Sequence, residues 1–424
     1  MIRCIFSVVF AVVVLLGGPV SAGGFLLKPA AIIDVQTGLE NDGMGVLVEG
    51  NRIIAVAPFQ SLQQANKGTE IIYLDGLTLL PGLIDAHSHI LLHPYNETSW
   101  NDQVLRETWA ERTLRAGEHL KATLDAGFTS LRDLGSEGAG YMDVGIKQAL
   151  QKGVIEGPRL IVAGRAIVAT GSYGPKGFDP SHGIYLGAEP ADGNDLIRVV
   201  RDQIGNGADF IKVYADYRWG PKGEAKPTFS VDELKLIVAT AKSSGRPTVA
   251  HASSDEAIQR AIMAGVQSIE HGDGASEKAF QMMAEHGVIF CPTIAAGDAI
   301  SQYRGWDKSG GAPEPARVVA KRLSVKRAIK AGVTLCNGSD VGVFSHGDNV
   351  RELLLMAEYG VPVADVLRAA TVTGATLTGF EGELGQIKPG YLADLIAVEG
   401  NPLKDLSVLG NAKFIMKNGV IHKQ

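Results

Sequence analysis

The sequence predicts an α/β protein in which a (β/α)8 TIM barrel carries a small β-sandwich domain formed by both chain ends. Three observations lead to this prediction. The chain has 424 residues, 45% hydrophobic and 20% charged, which suits one barrel plus an accessory domain. Apolar strand-like runs alternate with helical stretches through its middle, a pattern typical of parallel sheets. Short β-like runs broken by turn residues occupy both ends.

Eight candidate barrel strands follow one another between the two β-rich ends. Each is a mainly apolar run, as expected of strands buried between helices. Helical stretches at 230–243, 254–264 and 276–286 begin at Ser, the residue type that N-caps prefer. Two long connections, 169–192 and 295–315, are expected to form lids or pocket walls. The candidate strands are residues 82–90, 128–134, 159–167, 210–215, 247–252, 267–271, 288–294 and 333–339.

Both chain ends have a β-like pattern and are expected to meet in one small domain. Short apolar runs separated by Gly, Asn and Asp turns fill the segment before residue 81, and the same pattern returns near the carboxyl end around KPG and KNG turns. This organisation assigns residues 23–80 and 385–424 to the β-sandwich domain and residues 81–384 to the barrel.

Residues 1–22 have the pattern of a secretory signal peptide. Arg3 supplies a positive charge, residues 8–16 form an apolar run, and Val20-Ser21-Ala22 suits signal peptidase. The alternative is a membrane anchor, but the run is shorter than the ~20 residues that span a bilayer. We therefore expect a secreted or periplasmic protein without membrane association after cleavage. The net charge of −6 and the absence of a basic run indicate no nucleic-acid partner.

Histidines and an aspartate occupy the ends of four candidate strands. His87 and His89 end the first strand two positions apart, so the alternation of side chains places both on one face. His251 ends the fifth strand, His271 ends the sixth, and Asp340 follows the eighth. Active sites form at the carboxyl ends of barrel strands. Because imidazole and carboxylate bind metals, we predict a metal site there.

Lys212 lies in the middle of the fourth candidate strand, in FIKVY (210–214), among apolar neighbours. A buried ammonium without a partner is costly, so burial favours the neutral amine. A neutral amine can add carbon dioxide to give a carbamate, whose two oxygens could bridge two metal ions. The alternative is a structural ion pair with a carboxylate such as Asp133 or Glu270.

Together these residues resemble the amidohydrolase superfamily with a binuclear metal site. The shared pattern is His-x-His on strand one, a carboxylated Lys on strand four, His on strands five and six, and Asp on strand eight. PGLIDAHSH at 81–89 and PGYLADL at 389–395 carry the same signature. The resemblance therefore spans nearly the whole chain.

Further motifs are similar to the prolidase-like, imidazolonepropionase-related branch of that superfamily, which contains carboxypeptidase-like dipeptidases and ochratoxin A hydrolysing amidohydrolases. These motifs are TSLRD (129–133), IKV (211–213) and GSD (338–340) with His346-Gly347. YADYR (214–218) departs from the smaller, Gly-rich loop of many relatives. The departure concerns the substrate pocket and not the metal ligands.

The resemblance implies two divalent metal ions, with zinc favoured by the donor set, and a carbon dioxide adduct on Lys212. It implies that His87 and His89 hold the more buried ion with Asp340, that the histidines of strands five and six hold the more exposed ion, and that carboxylated Lys212 bridges them. Asp340 would then move a proton from the attacking water to the departing amide nitrogen. Relatives also suggest a homo-oligomer, with an octamer as one candidate.

The expected substrate is a small molecule in which an amide joins an acyl group to a C-terminal amino acid. Aromatic residues near the barrel mouth are expected to pack its side chain. Arg132, His182 or Arg218 is expected to pair with its carboxylate. The predicted substrate-binding residues are Tyr214, Arg218, His182, Arg132 and His346, and the expected pocket walls add Tyr173, Tyr217, Trp219, Tyr303 and Trp306.

These features predict a metal-dependent amidohydrolase or carboxypeptidase-like peptidase acting on N-acyl-amino acids, dipeptides and ochratoxin A. A lactonase, a cyclic amide hydrolase or a phosphotriesterase is the enzymatic alternative, since the same two-metal site can attack each electrophile. A non-enzymatic binding barrel is disfavoured by the complete ligand set.

Two cysteines, Cys291 and Cys336, follow the predicted signal peptide. Two are too few for the disulfide framework of a small secreted domain. Both lie in apolar strand-like runs, which favours buried free thiols over a bridge.

Overall fold

The computed structural model describes residues 24–182, 184 and 187–424. The predicted signal peptide, residues 1–22, lies outside the described residues. Within the described part of the chain, no helix has both the length and the apolar character needed to cross a membrane.

The amino-terminal region is mainly β-structure and leads into alternating strands and helices. It contains β1 (Phe25–Asp34), β2 (Leu39–Asp42), β3 (Met44–Glu49), β4 (Arg52–Pro58), α1 (Phe59–Ala65) and β5 (Glu70–Pro81). The alternating region begins with β6 (Leu83–Ser88), α2 (Trp100–Arg106), α3 (Trp109–Asp125), β7 (Phe128–Asp133), α4 (Met142–Gln151), β8 (Arg159–Val162), β9 (Ile167–Val168), a 3-10 turn (Pro180–His182), β10 (Glu189–Pro190), α5 (Asp195–Gly205) and β11 (Ile211–Tyr214).

The alternation continues to residue 378, and strands return at the carboxyl end. This part contains β12 (Asp216–Tyr217), β13 (Lys226–Pro227), α6 (Val231–Lys242), β14 (Thr248–Ala252), α7 (Asp255–Ala264), β15 (Ser268–His271), α8 (Glu277–His286), β16 (Ile289–Cys291), α9 (Ile294–Tyr303), α10 (Ala316–Ala331), α11 (Val350–Glu358), α12 (Val363–Arg368), a π-helical turn (Ala369–Thr373) and α13 (Gly374–Thr378). The last elements are β17 (Leu395–Glu399), a 3-10 helix (Leu406–Asn411), β18 (Ala412–Lys417) and β19 (Val420–Lys423).

One sheet joins strands from both ends of the chain. Its order is β19-β18-β17-β5-β1-β3-β4, with β2 paired to β1. β1 and β5 are parallel, whereas β17 runs antiparallel to β5 with Ile396 opposite Leu80. The described strands are continuous along this path, whereas the sequence pattern predicted a β-sandwich. Alternating runs predict strands, but they do not state which strands share a sheet.

Two parallel sheets form the central region. Their orders are β6-β7-β8 and β10-β9-β11-β14-β15-β16. Isolated parallel bridges extend them, since Phe290 of β16 pairs with Leu335 and Ser88 of β6 pairs with Val341. Parallel neighbours require crossover connections, which the helices between them supply. The carboxyl ends of β11, β14 and β15 consequently lie side by side.

The three helices predicted from their Ser starts are confirmed as α6, α7 and α8. Ser230 and Glu233 form a reciprocal capping box at the start of α6. The Ser276 side chain accepts a hydrogen bond from a backbone N–H of α8. Gly265 and Gly287 end α7 and α8 in the left-handed conformation, as a C-cap requires.

Two segments have a secondary structure that differs from the sequence prediction. Residues 288–294 form only the short strand β16, because Thr293 has a φ of 50° and α9 begins at the next residue. Helix α9 therefore also occupies much of 295–315, which was expected to be a loop. In the described chain, residues 333–339 pair through single contacts and not as a strand, including the hydrogen bond from Ala86 N to Asn337 O of 2.9 Å.

Cys291 and Cys336 are joined in a disulfide, with their Cα atoms 4.9 Å apart. The expectation of two free thiols is therefore wrong. The backbone N–H of Cys336 donates to Phe290 O, which brings the two chain segments side by side. The sequence separation of 45 residues concealed this proximity.

Candidate active site

His87, His89 and Asp340 form the centre of the site. Their nearest ligand-type atoms all lie within 4.8 Å of one another, and all three residues are buried. Asp340 Oδ1 lies 3.6 Å from His87 Nε2 and 3.5 Å from His89 Nε2. The backbone brings them together because Asp340 N donates to His87 O and His89 N donates to Val341 O. The sequence-predicted grouping of these three residues is thus present in the structure.

In the described structure, one ring nitrogen of His87 has a hydrogen-bond partner and the other has none. Nδ1 donates to Glu270 Oε2 at 2.7 Å, whereas the buried Nε2 has no hydrogen-bond partner in the described structure. Burial, with the nearby Lys212 ammonium, lowers the pKa of His87 to about 4. The ring is therefore neutral at neutral pH, with its unshared Nε2 lone pair facing Asp340. Neutral imidazole nitrogens beside a carboxylate fit a divalent metal ion.

His251 and His271 lie next to this cluster at the ends of β14 and β15. Their ring centroids are 4.5 Å apart, and the His87 and His271 centroids are 5.2 Å apart. Burial lowers the pKa of both rings well below the usual value. His271 Nδ1 lies 2.8 Å from Thr293 Oγ1, so its Nε2 is available to a ligand.

Lys212 lies in β11 and is buried, with its ammonium 5.3 Å from the centre of the Tyr214 ring. Burial lowers the pKa of Lys212 to about 8. Asp133 instead accepts from Ile90 N, and Glu270 pairs with other groups. Within the described chain no carboxylate is at ion-pair distance from this lysine, so the structural ion pair considered from sequence is not formed.

Glu270 was not identified from sequence as a site residue. Its carboxylate accepts from His87 Nδ1, from Arg132 Nη2 at 3.1 Å and from Ser268 Oγ at 2.5 Å. Burial acts to raise the pKa of Glu270, but Arg132 and then His87 outweigh it and hold the pKa at about 2. The ionised carboxylate therefore fixes the orientation and tautomer of His87.

Asp216 lies beside His251 as Glu270 lies beside His87, and it was not predicted from the sequence. Its buried Oδ1 lies 3.5 Å from His251 Nε2 and has no hydrogen-bond partner in the described structure. Its Oδ2 accepts from Ser253 N and from Ser254 Oγ. His251 consequently has Nε2 turned towards Asp216 and Nδ1 left for a ligand.

Two predicted substrate-binding residues have other roles. Arg132 is completely buried, donates to Ala86 O at 2.6 Å and pairs with Glu270, so it cannot reach a substrate carboxylate. His346 packs against another histidine. Its ring stacks on His119 with centroids 4.2 Å apart, and Nε2 hydrogen-bonds to Leu92 O.

The other predicted pocket residues divide into buried and exposed groups. Tyr214 stacks on His251 at 4.6 Å, and Tyr173 contacts both Tyr214 and Tyr217. These rings form an aromatic wall beside the histidines. His182, Arg218, Trp219 and Tyr303 are exposed, and Trp306 packs against the core.

A separate cavity of about 510 Å³ opens near the amino-terminal ends of the strands. Asp209, Thr248 and Gln267 line it, and these residues precede or begin β11, β14 and β15. The histidines lie at the opposite ends of the same strands. This cavity is therefore distinct from the cluster that carries the chemistry.

Comparison with known proteins gives the same assignment as the geometry. The model of the amidohydrolase family matches residues 78–422. The chain belongs to the amidohydrolase family. Ochratoxinase from Aspergillus niger, a curated relative, is 32% identical over 373 residues, covering 81% of this chain and 75% of that protein. Imidazolonepropionase from Geobacillus kaustophilus is 24% identical over 391 residues, covering 83% of this chain and 82% of that protein.

A solved structure of a Xaa-Pro dipeptidase with methionine bound in its active site has a TM-score of 0.81 and 29% identity to this amidohydrolase. It covers 95% of this chain, and the match includes 100% of that chain. These similarities confirm the prolidase-like, imidazolonepropionase-related branch predicted from sequence. They also support an enzymatic function for this amidohydrolase, because its relatives are hydrolases.

Proposed function

We propose that this protein is a metal-dependent hydrolase that cleaves the amide between an acyl group and a C-terminal amino acid. The observation that carries the proposal is the convergence of His87, His89 and Asp340, with His87 Nε2 buried and unpartnered. Similarity to ochratoxinase and to a Xaa-Pro dipeptidase supports the amide as the bond attacked.

The same residues define which side chains would hold metal ions. His87, His89 and Asp340 would hold one ion, the neighbouring His251 and His271 pair would hold a second, and a carboxylated Lys212 would lie between them. Bound divalent ions of this kind lower the pKa of water to about 7 and polarise a carbonyl oxygen. Zinc is the ion that nitrogen and carboxylate donors favour here.

Asp340 supplies the proton transfers of the proposed reaction. Its carboxylate is close to both His87 and His89. It would accept a proton from the attacking water and deliver it to the departing amide nitrogen. The released amine is then neutral, and no covalent bond to the protein forms.

We also infer that the two parallel sheets belong to one (β/α)8 barrel. The bridge between Phe290 and Leu335 extends the larger sheet, and the bridge between Ser88 and Val341 links the same region to β6. Together they connect the last strand position to the first. The fold of the structural relatives supports the same closure.

Arg218 is the proposed partner of the substrate carboxylate. Arg132 is committed to Glu270, whereas Arg218 is exposed on the loop that also carries Tyr217, beside His251. A guanidinium fork matches a carboxylate well. Aromatic rings on the same side suit an apolar or aromatic amino acid such as the phenylalanine of ochratoxin A.

A secreted or periplasmic location fits this proposal. The disulfide between Cys291 and Cys336 supports it, since disulfides persist mainly in oxidising compartments.

Hydrolysis of ochratoxin A and other N-acyl-phenylalanines, compared with their carboxyl amides, tests the function. We expect the free acids to be cleaved at least tenfold faster than the amides, because one charge-assisted hydrogen bond contributes about that factor. Arg218→Gln should abolish that preference, whereas Lys222→Gln, which removes a charge from the same loop, should keep it. Full activity after thorough chelation would refute metal dependence, and equal cleavage of acids and amides would refute the carboxylate site.

A further inference from the structure

Glu137 is a buried carboxylate that the proposed reaction does not use. It follows β7 with a φ of 47° and is 3% exposed. Its carboxylate accepts hydrogen bonds from Trp100 Nε1 at 2.8 Å, Tyr173 Oη at 2.6 Å and Tyr214 Oη at 3.2 Å. Three aromatic side chains thus point their polar atoms at one anion. We call these four residues the aromatic cage.

The aromatic cage adjoins the metal-ligand cluster. Glu137 Oε1 lies 3.9 Å from His89 Nδ1, and Nε2 of the same ring lies 3.5 Å from Asp340 Oδ1. Tyr214 also stacks on His251. One imidazole ring therefore separates the cage from the carboxylate that transfers the proton.

The negative charge of Glu137 has no cationic side chain paired with it in the described chain. Arg112 is a nearby cation whose pKa the Glu137 carboxylate acts to raise, but its guanidinium donates to Leu91 O at 2.9 Å and to Ser136 O at 3.2 Å. Arg112 and Glu137 form no ion pair in the described structure. A buried charge normally has an opposite charge, and aromatic faces attract cations.

We propose that the aromatic cage binds an ammonium group on the acyl side of the scissile amide. This inference rests on the proposed function and deepens it, because it makes a free α-amino group the preferred feature of the acyl half. An α-amino nitrogen is one carbon away from the scissile carbonyl. A substrate whose carbonyl lies at Asp340 carries that nitrogen on its acyl side, and Glu137 lies one imidazole ring away from Asp340. Glu137 is then a specificity-determining residue, and dipeptide-like molecules are the favoured substrates.

Two matched substrates test the cage in the metal-loaded enzyme. Alanyl-phenylalanine and propionyl-phenylalanine differ only by the ammonium group. We expect kcat/KM to favour the first by about 10- to 100-fold, the range for a hydrogen bond to a charged group. Glu137→Gln should reduce that preference to less than about threefold, because the larger loss falls on alanyl-phenylalanine. Glu111→Gln, an exposed change of the same kind, should leave both values unaltered.

A merely structural Glu137 would give a different result. Glu137→Gln would then lower the turnover of both substrates equally and keep their ratio, which would overturn the proposal. Equal cleavage of the two substrates by the unaltered enzyme would overturn it as well.

A binding measurement separates failure of this inference from failure of the proposed function. The Trp100 indole donates to Glu137, so its fluorescence reports on the cage. L-alaninol is a cation without an amide, and 2-methylpropan-1-ol is its neutral isostere. We expect saturable fluorescence changes with the cation only, lost in Glu137→Gln and in Trp100→Phe. A saturable response without any amide hydrolysis would support the cage while refuting the proposed function. No saturable response to the cation would refute the cage.

Discussion

Replacement of Glu270 by Gln tests whether this carboxylate supports both the fold and the metal site. Glu270 is completely buried and accepts from His87, Arg132 and Ser268 at 2.7, 3.1 and 2.5 Å. Its pKa of about 2 means that it is ionised at neutral pH, so Gln removes a full charge while keeping the shape. One guanidinium nitrogen of Arg132 already lacks a partner in the described structure. The variant therefore leaves a buried cation unpaired.

Two magnitudes follow from these contacts. Removing one partner of a buried ion pair lowers the unfolding free energy by about 3–5 kcal/mol. Loss of the group that orients a metal-binding histidine lowers metal affinity by about 10- to 100-fold. The double variant Arg132→Met with Glu270→Gln removes both charges. It should regain much of the stability, but it should not regain the metal affinity, because His87 still lacks its anionic partner.

Chemical denaturation measures the stability, and zinc titration against a competing chelator measures the affinity. Glu277→Gln is the matched control, since Glu277 pairs with Lys330 at 3.1 Å with side chains 60% and 74% exposed. An exposed pair contributes only about 0–1 kcal/mol. If Glu270→Gln and Glu277→Gln gave the same small changes in stability and affinity, the assigned role of Glu270 would be refuted.

Two further predictions concern Lys212 and the disulfide. Lys212→Ala should lose turnover and regain part of it when acetate or propionate is added, as measured by the initial rate. Lys242→Ala, at the remote cavity, should leave the rate unchanged. Failure of every short carboxylate to restore activity would contradict the bridging role. Cys336→Ser opens a loop of 45 residues and should lower the unfolding free energy by about 4 kcal/mol, measured by denaturant titration. An unfolding midpoint of the parent protein that does not shift on reduction would contradict the Cys291–Cys336 bridge.

The sequence predicted much of the central fold because its signals were local. Alternation and apolar runs identified β7, β11, β14 and β15, and Ser starts identified α6, α7 and α8. The segment 333–339 looked like a strand from its apolar residues. In the described structure it pairs only through single bridges, because strand pairing depends on the adjacent strands and not on the composition of the segment alone.

The site was predictable where ligand type and strand position coincide, as at His87, His89 and Asp340. Arg132 pairs with Glu270, and a strand pattern does not reveal a partner on another strand. Glu137 and Glu270 were missed because their partners come from distant segments, such as Trp100 and Arg132. A sequence signal existed for Glu270 alone, since it directly precedes a candidate ligand on a buried strand.

The charges inside the site support a carboxylated Lys212. Arg132 and Glu270 neutralise each other, and the low pKa of His87 leaves that ring uncharged. Lys212 is then a buried cation without a counterion in the described structure, with a pKa of about 8 that leaves part of the amine neutral near pH 7. Two divalent cations beside an ammonium would repel it. A carbamate would reverse that charge and add a second anion to the carboxylate of Asp340, so carbon dioxide addition would remove the repulsion and supply a further anionic metal ligand.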